Sequence, residues 1–338
     1  MSGVRASRSA WARSYLYVPG SRPDRFASAI ASGADVVILD LEDSVAPEAH
    51  DTARAHVAAL IEQRGPAGHG QGVGSPGGTG AIATPLHVRA RRVGDEIDPE
   101  DLAAVVRPGL DALRLPKCAR PEELWALDET LAALERTAGL ARGSVAVYPI
   151  LESAAGVLRA FELARAPRVE RLVLGAADLS ADLGLPPGDA VGAEDPLRTA
   201  RAQIVLASAA AGVGAPVDSV CVSLDDENRL RAEACSARAL GFFGKSVIHP
   251  RQVPTVNEVF APTDEELRRA RAVLAAMGDS LQTGEGATQS AGELVDPAVA
   301  RRAAGVVALA EALGAARATD QSPTGSPTTD APAERQGA

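Results

Sequence analysis

From Tyr15 to Phe260, short apolar runs rich in β-branched residues alternate with amphipathic stretches, and the alternation repeats eight times. SYLYV leads into PDRFASAIASG, and DVVILDLED into EAHDTARAHVAALIEQ. PLHVRA leads into DPEDLAAVV, where Asp98 and Pro99 read as the N-cap and first residue of a helix. DALRLPK precedes PEELWALDETLAALER, SVAVYPILE precedes GVLRAFELARA, and RLVLGAAD is followed by PLRTARAQIVLASAAAG. PVDSVCVSL precedes DENRLRAEACSARALG, and GFFGKSVIH precedes RQVPTVNEVF. Strict alternation demands parallel strands with helical crossovers. Eight such units close most simply as an α/β fold of the TIM-barrel kind, a (β/α)8 barrel. An open doubly wound sheet is the alternative, but no GxGxxG follows the first strand.

These readings set the expected boundaries. Residues 1–12 form a flexible N-terminus and 13–260 the barrel. Within it, 65–84 is a Gly-rich insertion between the second helix and third strand, on the face opposite barrel active sites. Residues 261–318 add C-terminal helices and a lid. They open with a Thr263/Glu266 capping box and place a Gly-rich stretch before a last helix. The polar Pro/Ser/Thr-rich tail, 319–338, is expected to be disordered.

Composition excludes several classes of function. A net charge of −10 without a basic stripe argues against nucleic acid. No apolar run approaches a membrane span, and the N-terminus lacks the apolar segment of a secretory signal. Cys118, Cys221 and Cys235 are scattered without metal spacing, which suits a reducing cytoplasm. The five histidines form no zinc motif.

Chemistry in a barrel gathers where strands end. The fifth run closes on Glu152 and the sixth on Asp178, in matching positions of consecutive β-α-β units. Two acids converging at adjacent strand ends repel unless a proton or cation lies between them. Mg2+, which takes one or two carboxylates with waters and substrate oxygens, fits that description. Taken singly, Glu152 could serve a helix dipole and Asp178 a cap. Around the pair lie Asp40, Glu42 and Asp43 from the second run, Arg89 and Arg91 from the third, and Lys117 from the fourth. Arg13 precedes the first run, while Lys245 and His249 belong to the eighth. An acidic centre flanked by cations suits a metal with an anionic substrate. Alternatively, the acids of the second run simply neutralise the arginines.

The segments RSYLYVPGSRPDRF, VVILDLEDSV, RLPK, ILESAAGV, GAADLSADLG and GFFGKSVIHPRQV, in this order, resemble the citrate lyase β-subunit-like branch of the HpcH/HpaI aldolase superfamily. The resemblance runs from about Arg13 to Leu313, sparing the Gly-rich insertion. It implies a Mg2+-dependent (β/α)8 barrel, trimeric or hexameric, that cleaves or forms the C–C bond of CoA thioesters such as malyl-CoA, citramalyl-CoA or citryl-CoA. It further implies Glu152 and Asp178 as metal ligands, and Arg13 and Arg89 as holders of the substrate carboxylate. Lys117 and Glu152, at their strand ends, are also expected among the substrate contacts. GELVDP resembles the family's lid motif, which makes Asp296 the proton-transfer group, entering a neighbouring subunit's site. Asp296 also reads as a plain N-cap before Pro297. The chain departs from the pattern at Arg91, where the family usually carries Asn.

The residues suit that chemistry independently. Cleaving a β-hydroxy thioester requires taking the hydroxyl proton and stabilising an enolate. A divalent ion lowers the alcohol pKa and orients the acid. The alternatives are a thioesterase, a CoA-independent 2-oxo acid aldolase and a non-catalytic subunit of a larger lyase complex.

Overall fold

The structure, a computed structural model, describes residues 11–65, 84–186, 197–283, 287–290 and 292–320. The chain divides into two compact units, 1–260 and 261–338. The expectations for the N-terminal segment, for the insertion between 66 and 83 and for the tail beyond 320 lie outside the described residues, apart from Trp11 and Ala12.

The first unit is built on eight parallel strands: β1 Ser14–Pro19, β2 Val36–Asp40, β3 Leu86–Arg89, β4 Ala112–Leu115, β5 Ala146–Leu151, β6 Arg171–Leu174, β7 Gly214–Val217 and β8 Lys245–Val247. β8 pairs with β1, and β1 through β7 then follow in order. A parallel bridge between Asp218 and Lys245 joins the remaining edges. Helices lie between successive strands, so the chain forms the (β/α)8 barrel that the alternation demands.

Alternate residues of each strand serve different layers. Leu16, Val37, Leu39, Val88, Leu113 and Leu172 pack in the large outer core with helix residues such as Val57, Leu131 and Ile204. Their neighbours Tyr15, Ile38, Ala112, Tyr148, Ile150 and Val173 form a second cluster inside the barrel. The same period of two directs Asp40, Arg89 and Arg114 inward.

Two expectations about the strands need correction. β7 stops at Val217 and does not run on through VCVSL. The carbonyls of Cys221 and Ser223 instead accept from the Gln252 side-chain amide, which draws this stretch out of the ladder. Lys245 starts β8 in register with Ser14, at the N-terminal end of the barrel. Its ammonium is buried against Asp218 at 2.7 Å, with Arg201 on the same carboxylate. The GFFGK lysine is therefore part of the barrel seam and not of the mouth.

The second unit pairs two helices, Asp264–Thr283 and Pro297–Asp320. The capping box forms: Glu266 N–H donates to Thr263 Oγ1 at 3.1 Å, and Thr263 N–H to Glu266 Oε2 at 2.8 Å. Gly278–Thr283, expected within the lid, continue the first helix. One glycine costs a helix only about 1 kcal/mol, less than a long amphipathic helix gains by packing. Two short antiparallel strands, Thr288–Ser290 and Glu293–Val295, then lead to Asp296. No helix among the described residues is long and apolar enough to cross a membrane.

Candidate active site

Glu152 lies one residue beyond β5 and is only 7% exposed. Its Oε1 accepts the backbone N–H of Lys117 at 2.6 Å. Lys117 reaches that position with φ of 55°, a left-handed conformation costing roughly 1–2 kcal/mol for a residue with a Cβ. On its other side Glu152 rests against Gly175. A Cβ there would lie 2.6 Å from the Glu152 Cβ and 2.7 Å from Oε2. Glycine at this position makes room for the carboxylate. An isolated glycine just past an apolar run was the available signal, and it passed unused.

Burial, followed by the charges of Glu42 and Asp178, pushes the Glu152 carboxyl up to about 7, against the bond from the Lys117 amide. Glu42 is itself raised, chiefly by burial. Its carboxylate meets the Lys117 ammonium at 3.3 Å. Asp178 does not end its strand as expected. β6 stops at Leu174, and Asp178 sits exposed in the first turn of the helix Ala176–Asp182. Its carboxylate makes no hydrogen bond with any described residue, yet its charge reaches Glu152.

Arg89, at the end of β3, grips Asp40 with two prongs, Nε to Oδ1 at 2.6 Å and Nη2 to Oδ2 at 2.7 Å. Its Nη1 is shared between Asp43 at 2.8 Å and Glu42 at 3.0 Å. Burial opposes the Asp40 charge, but Arg89 outweighs it and holds the carboxyl below the usual range. The neutralising role considered for the acids of the second strand is thus realised. An anionic ligand at Arg89 would compete with Asp43 and Glu42 for Nη1, while Asp40 fixes the plane of the guanidinium.

Three other cations fall elsewhere. Arg13 lies before β1, where its guanidinium pairs with Asp35 at 2.8 Å and bonds the Asn257 carbonyl. Because it precedes the strand, it stands at the N-terminal rim, opposite the strand ends that carry Glu152 and Arg89. This geometry contradicts its expected role at the substrate carboxylate. Arg91 turns to Asp98, the cap of the next helix, at 2.6 Å. The departure at that position thereby serves the local fold. Lys245 belongs to the seam described above.

Among the described residues, His50, Asp98 and Asp101 lie close enough together to hold an ion. Arg54 already occupies their centre, 2.8 Å from Asp101 and 3.4 Å from Asp98, and His50 Nε2 bonds the Leu41 carbonyl. Their charge is met from within the protein.

Glu152 and Asp178 suit a hard divalent cation. Their donors are carboxylate oxygens, one is held near a neutral pKa by burial and like charge, and the other has no hydrogen-bond partner among the described residues. A cation between them would relieve both conditions.

Asp296 caps the last helix, accepting N–H bonds from Ala298 at 2.8 Å and Val299 at 2.9 Å. Both bonds fall on Oδ1, and no described residue bonds Oδ2.

Residues 13–250 match the model of the HpcH/HpaI aldolase/citrate lyase family. The L-malyl-CoA/beta-methylmalyl-CoA lyase of Cereibacter sphaeroides is 37% identical, covering 90% of this chain and 96% of that protein. Citrate lyase subunit beta of Escherichia coli is 32% identical over 89% of this chain and 94% of its own length. The crystal structure of CitE from Mycobacterium tuberculosis, in complex with magnesium, acetoacetate and coenzyme A, superposes with a TM-score of 0.68 at 32% identity. It covers 90% of this chain and 99% of its own. The chain therefore belongs to the HpcH/HpaI aldolase/citrate lyase family.

Proposed function

We propose that the protein is a Mg2+-dependent CoA ester lyase that cleaves or forms the C–C bond of a 3-hydroxyacyl-CoA, with a malyl-CoA-type thioester as its first candidate substrate. The observation that carries this reading is the placement of Glu152. It is a carboxylate pinned by the Lys117 amide and raised to about 7 by burial, then by Glu42 and Asp178, in the barrel mouth shared with Arg89. The relatives include a malyl-CoA lyase, and a CitE whose crystal structure holds magnesium, acetoacetate and coenzyme A.

Glu152 and Asp178 would hold the ion. Bound there, Mg2+ would supply the Lewis acidity that lowers the pKa of the substrate hydroxyl. Arg89, its plane fixed by Asp40, would grip the carboxylate of the acid being released. Asp296 is the proposed proton-transfer group, acting across a subunit boundary in a homotrimer. The cap occupies only Oδ1, and no described residue bonds Oδ2, which supports that role. In the cleavage direction the hydroxyl proton leaves, the C–C bond breaks, and its electrons pass into the thioester enolate. Protonation of that enolate gives the shorter acyl-CoA.

The test supplies malyl-CoA, citramalyl-CoA and citryl-CoA with Mg2+ and follows free CoA and 2-oxo acid separately. Glyoxylate, pyruvate or oxaloacetate without free CoA supports the lyase. Free CoA without a 2-oxo acid makes it a thioesterase, and inertness toward all three contradicts the reading.

A further inference from the structure

Tyr17 lies on β1, in register with Ile38, and packs from the mouth side against the interior cluster that contains Tyr15, Tyr148 and Ile150. Its ring carries the Arg89 guanidinium 5.1 Å from the centroid. The ring is therefore part of the floor on which Arg89 rests. Tyr17 is half-buried, and its hydroxyl makes no hydrogen bond with any described residue. The charges bearing on it are Arg114, Arg89, Asp40 and Glu152, the last three being the residues that surround the mouth. Burial keeps the phenol protonated, and the group is thus a donor.

Arg114 adds an independent observation. It is fully buried inside the barrel, 4.4 Å over the Tyr15 ring and 5.3 Å over that of Tyr148. None of its guanidinium nitrogens bonds a described residue. A guanidinium without a carboxylate partner, in register with Arg89, places net positive potential in the barrel interior beside Tyr17. That potential favours an anionic oxygen nearby, and Tyr17 has an unused proton to offer it.

We propose that Tyr17 is a further substrate-contacting residue, donating a hydrogen bond from the barrel floor to an oxygen of the 2-oxo acid half of the substrate, beside Arg89. This rests on the lyase reading. A donor to a charged oxygen in a shielded site is worth roughly ten- to a hundredfold in affinity.

The experiment titrates oxalate, a stable mimic of a 2-oxo acid, into Mg2+-loaded wild type and Tyr17→Phe by calorimetry. Mg2+ alone is titrated in parallel, and melting temperatures are recorded. The substitution keeps the ring and removes one oxygen. The expected result is oxalate binding weakened about ten- to a hundredfold, with Mg2+ affinity and melting temperature unchanged and kcat/KM for the thioester reduced. Oxalate affinity within about twofold of a wild type that does bind oxalate overturns the inference and leaves the lyase reading intact. If wild type with Mg2+ neither binds oxalate nor releases a 2-oxo acid, both are overturned.

Discussion

Lys117 and Glu152 are joined through backbone and not through charge: the Lys117 N–H donates to Glu152 Oε1 at 2.6 Å, while the lysine ammonium meets Glu42. The left-handed φ of Lys117 aims that amide. Strain of this kind persists where the surroundings over-determine it, typically at functional sites. Lys117→Gly adopts the same φ without penalty and keeps the amide. Mg2+ affinity should therefore change by less than about fivefold, the worth of an exposed ion pair, as measured by calorimetry. A collapse of Mg2+ binding in this variant would show that the ammonium, and not the amide, organises the site.

Gly175 makes the complementary case. Alanine there would drive a methyl into the Glu152 side chain at under 3 Å, and the backbone φ of −102° at that position is not one that requires glycine. Gly175→Ala is expected to displace the carboxylate and weaken Mg2+ binding at least tenfold, with a stability loss of about 1–3 kcal/mol from overpacking. Calorimetry and a melting curve on the same sample separate the two effects. Undiminished Mg2+ affinity would mean that Glu152 is not the ligand.

The raised pKa of Glu152 gives a signed pH dependence. An ordinary glutamate titrates near 4.5, and folding lifts this one to about 7. Its proton is held more tightly in the folded state. The associated stability is fully present below 4.5 and is lost as pH rises through 7, by on the order of 3 kcal/mol. The chelated protein should thus lose melting temperature between pH 5 and pH 8 by an increment that Glu152→Gln lacks. Mg2+ must displace the same proton, so its affinity should rise with pH up to about 7 and then level. An identical pH response in the two proteins would place the titration elsewhere.

Arg89 answers to both stability and chemistry. Arg89→Lys keeps the charge but loses the two-pronged grip on Asp40, which is 2% exposed. The variant should bind Mg2+ yet show kcat/KM reduced at least a hundredfold, with a stability loss of about 2–4 kcal/mol from the weakened buried pair. Steady-state kinetics and denaturant melts distinguish the two, and unchanged kcat/KM would remove Arg89 from the substrate.

The alternation of periods two and helical made the barrel legible before any geometry, because each run buries opposite faces and needs a helix to cover one of them. Glu152 and Arg89 were legible for the same reason, since each closes an apolar run. Asp178 was misplaced: it stands four residues beyond the end of β6, in the first turn of a helix. GAA carries no polar break after LVL, so the pattern does not mark where β6 stops at Leu174. Arg13 was misread despite a usable signal, because a residue before a strand stands at the opposite rim from one after it. The direction of Arg91 toward Asp98 depends on a tertiary turn that spacing does not encode. Tyr17 reads in the sequence as an ordinary strand aromatic, and only the position of Arg89 over its ring distinguishes it.

Asp296→Asn should keep the helix cap and Mg2+ binding while kcat falls by about 10²–10⁴, the usual size of a general acid–base contribution. On the proposed arrangement across a subunit boundary, mixing these subunits with Glu152→Gln subunits should restore part of the activity, because some interfaces would then pair an intact metal site with an intact Asp296. Mixed trimers that recover nothing would confine Asp296 to its own barrel or to the cap.

The most direct test of the account measures 2-oxo acid release from malyl-CoA by wild type and Glu152→Gln, with Mg2+ and with EDTA. The account predicts glyoxylate and acetyl-CoA in equal amounts from wild type with Mg2+, and none in EDTA or from Glu152→Gln, although the variant still folds. Release of free CoA without glyoxylate, or glyoxylate formation that survives both EDTA and Glu152→Gln, would contradict it.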